Sequence, residues 1–336
     1  MAKTIRNLYD KELTYENLMK AHLQSRKNKN NKKDIILFNL KQEEYIKWLY
    51  EQLSNMTYKH GGYRTFYIYE PKKRKIESSR YMDRIVHTWY VNHFMEEYFI
   101  KQFIATSYAC IKKKGMHKAA QEVQKAMRHC SKKWQEYYIL KMDVAKYFAN
   151  IDKDKLYQIL TRKIQDKKLL WLTKEIVYSS EGKKGIPIGN YTSQVFANIY
   201  LNEVDQYIKH KLKVKYYYRY MDDSVLMVET KKKAKEILIQ IQTFLKEELG
   251  LELNSKTQIF KNKQGVNFCG YQINETRLKI RDKGKRKLKK KIKKLKYEIR
   301  TRKMTSKEAK KYLCGHIGYI QHANVRGLTE KLFETE

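Results

Sequence analysis

Apolar positions recur along the chain with two periods, and the switches between them outline the elements. Leu8, Leu13 and Leu18 give residues 1–35 a helical opening that ends in the polar run 25–34, read as a loop. A short helix follows from about Gln42 to Met56. Arg64–Tyr69 alternates β-formers, meets Pro71-Lys72-Lys73-Arg74-Lys75 and continues into Ile76–Ser79, the pattern of a hairpin with a strongly cationic tip. Helical periodicity returns over Tyr81–Phe99 and Lys118–His129, and residues 137–143 form an apolar strand that ends in an acid. Thr192–Lys213 reads as a helix with Val195, Ile199 and Val204 on a common side. A hairpin over Tyr216–Val228 carries Tyr220-Met221-Asp222-Asp223 at its tip, before a helix over Lys231–Leu249 and strands near Lys256–Lys261 and Val266–Ile273.

Beyond residue 283, Leu288, Ile292, Leu295 and Ile299 make one narrow apolar stripe on an otherwise cationic helix, and Thr305 with Glu308 spells a capping box for a second. Only Pro71 and Pro187 interrupt the chain, so long continuous elements are expected. Strands and helices interleave irregularly, which favours an α+β fold over a doubly wound sheet.

Charge narrows the partner. The 336 residues include 73 Lys and Arg against 36 Asp and Glu, a formal net charge of +37. Such an excess calls for a polyanion, and the basic residues run through the whole chain rather than along one amphipathic segment. No apolar run approaches the length of a spanning helix and no secretory signal follows the first residues, so nucleic acid is the expected partner, no membrane is, and a cytoplasmic location is expected. Cys110, Cys130, Cys269 and Cys314 are scattered without metal-ligand spacing and are expected as free thiols, with no structural zinc.

The adjacent acids Asp222 and Asp223 lie between apolar strands. Neighbouring carboxylates in such a setting are costly unless something positive satisfies them, and a pair of divalent cations does so in phosphoryl-transfer sites. Three blocks belong with them: Lys141-Met142-Asp143 running to Phe148 and Asp152, Gly185-Ile186-Pro187-Ile188-Gly189 running to Ser193-Gln194, and the Tyr220–Asp223 hairpin itself. In this order they resemble motifs A, B and C of reverse transcriptases, with Leu253–Thr257 resembling motif D and Val266–Tyr271 the primer-grip motif E.

That resemblance implies a right-handed polymerase with fingers, palm and thumb, an antiparallel palm sheet and a helical basic thumb. Residues 1–105 would be an N-terminal extension and fingers, 106–275 the palm with the remaining fingers elements, and 276–336 the thumb. It implies RNA-directed DNA synthesis by two-metal nucleotidyl transfer, with Asp143, Asp222 and Asp223 catalytic and Val144 joining them in the metal set. Mg²⁺ is the expected ion, two per site, with Mn²⁺ as a substitute. Asp152 is read as structural and stays outside the set.

Phe148 would be the steric gate against a 2′-hydroxyl. Ile188, Gly189 and Gln194 would border the nucleotide, and Lys72 and Arg74 would hold its triphosphate, although the choice among Lys72, Lys73, Arg74 and Lys75 stays open. Lys256 matches the motif D lysine, and Phe268, Cys269, Gly270 and Tyr271 the primer grip. Expected partners are dNTPs, a template RNA and the RNA/DNA heteroduplex, read through phosphates and groove shape by the basic C-terminal helices.

The Ile188-Gly189 and Ser193-Gln194 form of motif B, in place of Gln-Gly and Ser-Pro, resembles the enzymes of diversity-generating retroelements. Those enzymes copy a template RNA with errors at adenines and use a small basic accessory protein. Two other readings stay open: a phage-defence reverse transcriptase working with a dedicated noncoding RNA, and a catalytically silent RNA-binding scaffold. No endonuclease or RNase H block is visible, so strand removal and integration are expected from elsewhere.

Overall fold

The computed structural model describes residues 4–69 and 73–324. The fold is α+β with antiparallel sheets, as expected. The chain forms two compact units: Met1–Ala105, Val144–Tyr207 and Ile241–Glu252 make the first, and Thr106–Asp143, Ile208–Gln240 and Leu253–Glu336 the second.

The first unit is mostly helical around one two-stranded hairpin. Strand β1 (Tyr63–Ile68) pairs with β2 (Arg74–Ser79) in antiparallel register from Tyr63 opposite Ser79 to Ile68 opposite Arg74. The helix Tyr81–Tyr90 is buried on nearly every side and passes into a π-helical turn at Val91–Met95. Around it Tyr9, Trp89 and Phe94 pack edge-to-face and stacked, with centroids 5.2–6.3 Å apart. The polar run at 25–34 is only partly a loop, because the helix Tyr15–Arg26 reaches into it and Lys33–Leu40 begins inside it. Ile35 and Phe38 supply the buried side of that second helix. Three further helices, Lys153–Thr161, Lys167–Val177 and Tyr191–Gln206, complete the unit's framework, and Val195, Ile199 and Val204 are all buried as their spacing implied.

The second unit is built on a four-stranded sheet. Strands β3 (Tyr138–Asp143), β4 (Tyr216–Tyr220), β5 (Asp223–Val228) and β6 (Gln258–Lys261) are ordered β4-β5-β3-β6, all antiparallel. Period-two alternation puts Ile139, Lys141 and Asp143 on one face of β3, beside Met227, Val225 and Asp223 of β5. At one end that face is apolar and closed by the helix Met116–Trp134, whose Ala119, Val123, Met127 and Cys130 join Ile139, Val225 and Met227 in one core. At the other end the same face finishes in carboxylates.

Three short strands, β7 (Val266–Phe268), β8 (Tyr271–Ile273) and β9 (Leu278–Ile280), make a second sheet whose Val266, Phe268, Tyr271 and Ile273 extend that core. The stretch read as strand near Val266–Ile273 is therefore a hairpin, because Cys269 (φ 49°) and Gly270 (φ 83°) both turn left-handed, the geometry of a tight two-residue loop. Helices Asp282–Arg300 and Ser306–Ile320 follow. Leu288, Ile292 and Leu295 are buried, while Ile299 near the helix end is only half-buried. The capping box at Thr305 and Glu308 is formed in both directions.

Asp152 is the N-cap of Lys153–Thr161, accepting from the backbone N–H of Asp154 and Lys155, both at 3.0 Å. Asp152→Ala is expected to cost about 1 kcal/mol of stability, read as a lower urea midpoint. Unchanged stability together with complete loss of activity would instead make it a catalytic acid.

Candidate functional site

The carboxylates come together through strand register. Asp143 ends β3 and is the direct partner of Asp223, the first residue of β5, so their side chains leave the same face of the sheet. Tyr220 pairs with Asp223 across the hairpin, leaving Met221 and Asp222 as the two-residue tip. Met221 adopts φ 57°, a left-handed conformation that costs a side-chain-bearing residue about 1–2 kcal/mol. Arg219, only 1 % exposed, donates from Nη1 to the Met221 carbonyl at 2.9 Å and holds the tip. Its own backbone is clamped by segment 106–108, with Arg219 N–H on the Thr106 carbonyl and Tyr108 N–H on the Arg219 carbonyl, each at 3.0 Å.

A lysine engages one of these acids. Lys141 Nζ donates to Asp223 Oδ1 at 2.7 Å and to the Asn267 carbonyl at 2.5 Å, and lies 5.8 Å from the centre of the Phe268 ring. Burial pushes the Asp223 carboxyl up to about 6 despite this lysine, and the charges of Asp143 and Asp222 push the same way. Asp143 accepts a longer bond from Asn254 Nδ2 at 3.3 Å, and Asn254 N–H donates to the Asp143 carbonyl at 2.7 Å. Among the described residues no three His, Cys, Asp or Glu side chains converge as a metal-holding set. Lys256 is exposed on the neighbouring turn, its N–H on Asn254 Oδ1.

The β7–β8 turn is fastened from two sides. Tyr319 donates to the Gly270 carbonyl at 2.7 Å, and Tyr271 donates to the Tyr319 carbonyl at 3.0 Å while the two rings stack. A Cβ at Gly270 would fall 2.7 Å from the Tyr319 hydroxyl, so glycine answers both the φ and the close approach. Phe268 and Tyr271 are fully buried, whereas Cys269 is half-buried, and burial raises its thiol well above the ordinary range.

The remaining site residues lie in the first unit. Val144 is buried there, and Ala145 after it donates to the Glu252 carbonyl. Phe148 is half-buried, packs edge-on against Tyr147, and its carbonyl accepts from Ile186 N–H at 2.9 Å. Ile188 joins the hairpin through its carbonyl, which accepts from Glu77 N–H at 3.1 Å. Gly189 packs so close to β2 that a Cβ there would come within 3.2 Å of Ile76 Cγ2. Asn190 Oδ1 accepts from both Ser79 N–H and Oγ, at 3.2 and 3.0 Å. Phe148, Ile188, Gly189 and the base of the hairpin thus share one backbone network. Gln194 is exposed on the first turn of the helix Tyr191–Gln206. Arg74 is exposed at the start of β2, and Lys72 lies outside the described residues.

The family model for reverse transcriptase (RNA-dependent DNA polymerase) matches residues 68–273, more than half of the chain. The chain belongs to the reverse transcriptase family. Its α+β build with antiparallel sheets is the right-handed polymerase class that the family resemblance implied. Among curated proteins it is similar to the putative COX1/OXI3 intron 2 protein of Saccharomyces cerevisiae, at 24% identity over 64% of this chain and 31% of that one. It is also similar to protein YkfC of Escherichia coli, at 26% identity over 53% of this chain and 58% of the relative. Among solved structures, an apo telomerase from Candida tropicalis aligns over 65% of this chain and 55% of its own, at 13% identity and a TM-score of 0.48. The chain spans about a third and somewhat over half of the two curated relatives' lengths.

Sequence reasoning assigned no role to Lys141, Arg219 or Asn190. Lys141 had a signal: two residues before Asp143 on a strand, it must share the acid's face. The raised Asp223 carboxyl gives a sign to test. Its folded value lies above the unfolded 3.8, so its contribution to stability is full below about pH 4 and is lost as pH rises through about 6. In metal-free protein, the urea midpoint of the wild type should fall relative to Asp223→Asn across that window. Lys141→Met should push the loss to higher pH by removing the lysine paired with Asp223. A wild-type minus Asp223→Asn difference that stays flat from pH 4 to 7 would contradict the burial argument.

Proposed function

We propose that the chain is an RNA-directed DNA polymerase that copies a template RNA into cDNA, with Asp143, Asp222 and Asp223 as its catalytic acids. The observation that carries this reading is the register of Asp143 on Asp223 beside the Asp222 tip, in a chain of the reverse transcriptase family. Asp143, Asp222 and Asp223 offer an all-oxygen donor set, and burial with the neighbouring carboxylates raises the Asp223 carboxyl, which suits a hard divalent cation. Bound Mg²⁺, or Mn²⁺ in its place, supplies charge neutralisation at the attacking and leaving oxygens of an in-line displacement. Asp143 and Asp222 would hold it, and Asp223 joins to the extent that Lys141 releases it.

Other residues position substrate. Lys141 fixes Asp223 and carries the β7 backbone beside Phe268, giving the primer-grip turn a defined place within the second unit. Arg74, with Lys72, serves the triphosphate, Lys256 is the candidate proton donor to pyrophosphate, and Phe148 screens the sugar. The template RNA, the heteroduplex and dNTPs are the partners this assigns. The lysine-rich face of Asp282–Arg300 opposite its buried stripe suits duplex phosphates.

The biological setting we propose is a diversity-generating retroelement, on the strength of Ile188-Gly189 and Ser193-Gln194, with a small basic accessory protein as partner. Ile188 offers no side-chain hydrogen bond where a glutamine would, so geometric selection at the nascent pair is looser.

Purified protein with a primed RNA template, dNTPs and Mg²⁺ should make cDNA. Asp143→Ala and Asp222→Ala should each lower synthesis by at least about a thousandfold, the scale of losing a major electrostatic element of the transition state. Equal synthesis by the variants would refute the assignment. Sequenced products should carry errors concentrated at template adenines, and Ile188→Gln should reduce them. Accurate or template-independent cDNA would favour the phage-defence reading. Phe148→Ala should raise ribonucleotide incorporation, measured by alkali-sensitive sites in the product, and an unchanged ratio would leave Phe148 a packing residue.

A further inference from the structure

Lined by none of the residues assigned to the site above, a cleft of about 380 Å³ lies in the first unit, within the range of small-ligand sites. Its walls are aromatic. Phe38, Tyr45, Tyr58 and Tyr81 line it, and Trp48 stands at its edge, 45 % exposed and without a ring partner among the described residues. Its rim carries both signs of charge: Arg80 is exposed and makes no side-chain hydrogen bond or ion pair among the described residues, Lys59 is engaged by Glu175 at 2.9 Å, and Asp34 lies 3.7 Å from Arg84 Nη1.

The floor is an unsatisfied carboxylate. Asp83 is 2 % exposed and lines the cleft, and its Oδ1 accepts from the Tyr58 hydroxyl at 2.6 Å and Gly61 N–H at 3.1 Å. Among the described residues its Oδ2 has no hydrogen-bond partner. The ring nitrogen His60 Nε2 lies 3.9 Å away and is itself without a hydrogen bond among the described residues. His87 stacks on His60 with both ring nitrogens unpartnered. Burial depresses both imidazoles, His87 to about 3, so neither supplies a cation beneath Asp83. A buried acceptor left unmade costs more than a hydrogen bond returns, so a retained one points to a donor that arrives from outside. Gly61 keeps the approach open, since a Cβ there would sit 3.1 Å from Asp83 Oδ2 and 3.0 Å from Arg80 Cδ.

A planar group that stacks on aromatics, donates N–H downward and carries an anion at the rim fits these three surfaces together. We propose that this cleft binds the base of an unpaired nucleotide, with an exocyclic amine donating to Asp83 Oδ2, the ring against Trp48 and Tyr45, and a phosphate on Arg80. Single-stranded RNA is recognised by this combination of stacking and base-edge hydrogen bonds, and guanidinium groups suit phosphate. The net charge of +37 favours a nucleic acid over a peptide here. The site is a binding element independent of the acids, and it stands or falls without the polymerase reading.

The test uses the full chain and short single-stranded RNAs carrying one 2-aminopurine, or one purine that lacks the amine, with GMP as a free-nucleotide arm. The amine-bearing RNA should bind about ten- to a hundredfold tighter than its amine-free twin, the range of one hydrogen bond to a buried charge, and its fluorescence should be quenched by stacking. Asp83→Asn should erase that ratio, and Gly61→Ala should weaken binding by filling the approach. Trp48→Ala, a surface change that leaves the core intact, should abolish the quenching, with thermal unfolding confirming that each variant is folded. GMP that competes as well as RNA would support the same chemistry with a free nucleotide as the source. Equal affinity for the two RNAs in the wild type, or quenching that survives Trp48→Ala, would overturn the proposal and leave the cleft to a protein segment.

Discussion

Antiparallel pairing of β3 with β5 sets Asp143 directly across from Asp223 at the end of a face whose other β3 and β5 positions, Lys141 apart, are apolar. A shift of one residue would turn Lys141 and Asp143 to the opposite face and bring Leu140 and Met142 to this one, so the packed core fixes where the acids emerge. The other features of the second unit follow from tolerating that charge. Arg219 is buried to hold a left-handed Met221, and Lys141 is drawn to Asp223 and takes the β7 carbonyl of Asn267 with it. Tyr319 and Tyr271 then fix the β7–β8 turn. The apolar end of the face supplies the stability that allows the other end to carry unfavourable charge.

The first unit handles polar groups differently. Its basic hairpin is tied at the base, by Ser79 on Asn190 and Glu77 on Ile188, and left exposed along its length, where Phe66, Tyr67 and Ile68 accompany the lysines. Elsewhere in the same unit, Asp83, His60 and His87 are enclosed with unmade hydrogen bonds. Exposed cations beside exposed aromatics suit phosphate and base, whereas an enclosed acceptor selects what can donate to it.

Much of this was legible in the sequence, and the exceptions have physical causes. The acid-tipped hairpin, the strand into Asp143, the cationic hairpin and the stripe of Leu288, Ile292 and Leu295 were visible because apolar period and turn chemistry agree there. The polar run at 25–34 concealed the start of the helix Lys33–Leu40, since its first turn is charged and only Ile35 and Phe38 are buried. The hairpin within Val266–Ile273 was hidden because Cys269 gives no turn signal of its own. Arg219 lies in a tyrosine-rich strand where an arginine reads as a surface residue, and only the fold shows it enclosed. The Asp83 floor was invisible for a similar reason: on a helix buried nearly all round, periodicity cannot separate polar from apolar contacts. The register that opposes Asp143 and Asp223 is a long-range pairing, which local pattern does not specify.

The acids gathered at this sheet end can together hold a divalent cation, and Lys141 competes with it for Asp223. Electron paramagnetic resonance of Mn²⁺ bound to the full chain, compared across Asp143→Asn, Asp222→Asn and Lys141→Met, tests this most directly. Binding should weaken in both acid variants and tighten when the lysine is removed, because Asp223 then loses its lysine partner and can join. Binding indifferent to Asp143 and Asp222, or weakened by loss of Lys141, would contradict it.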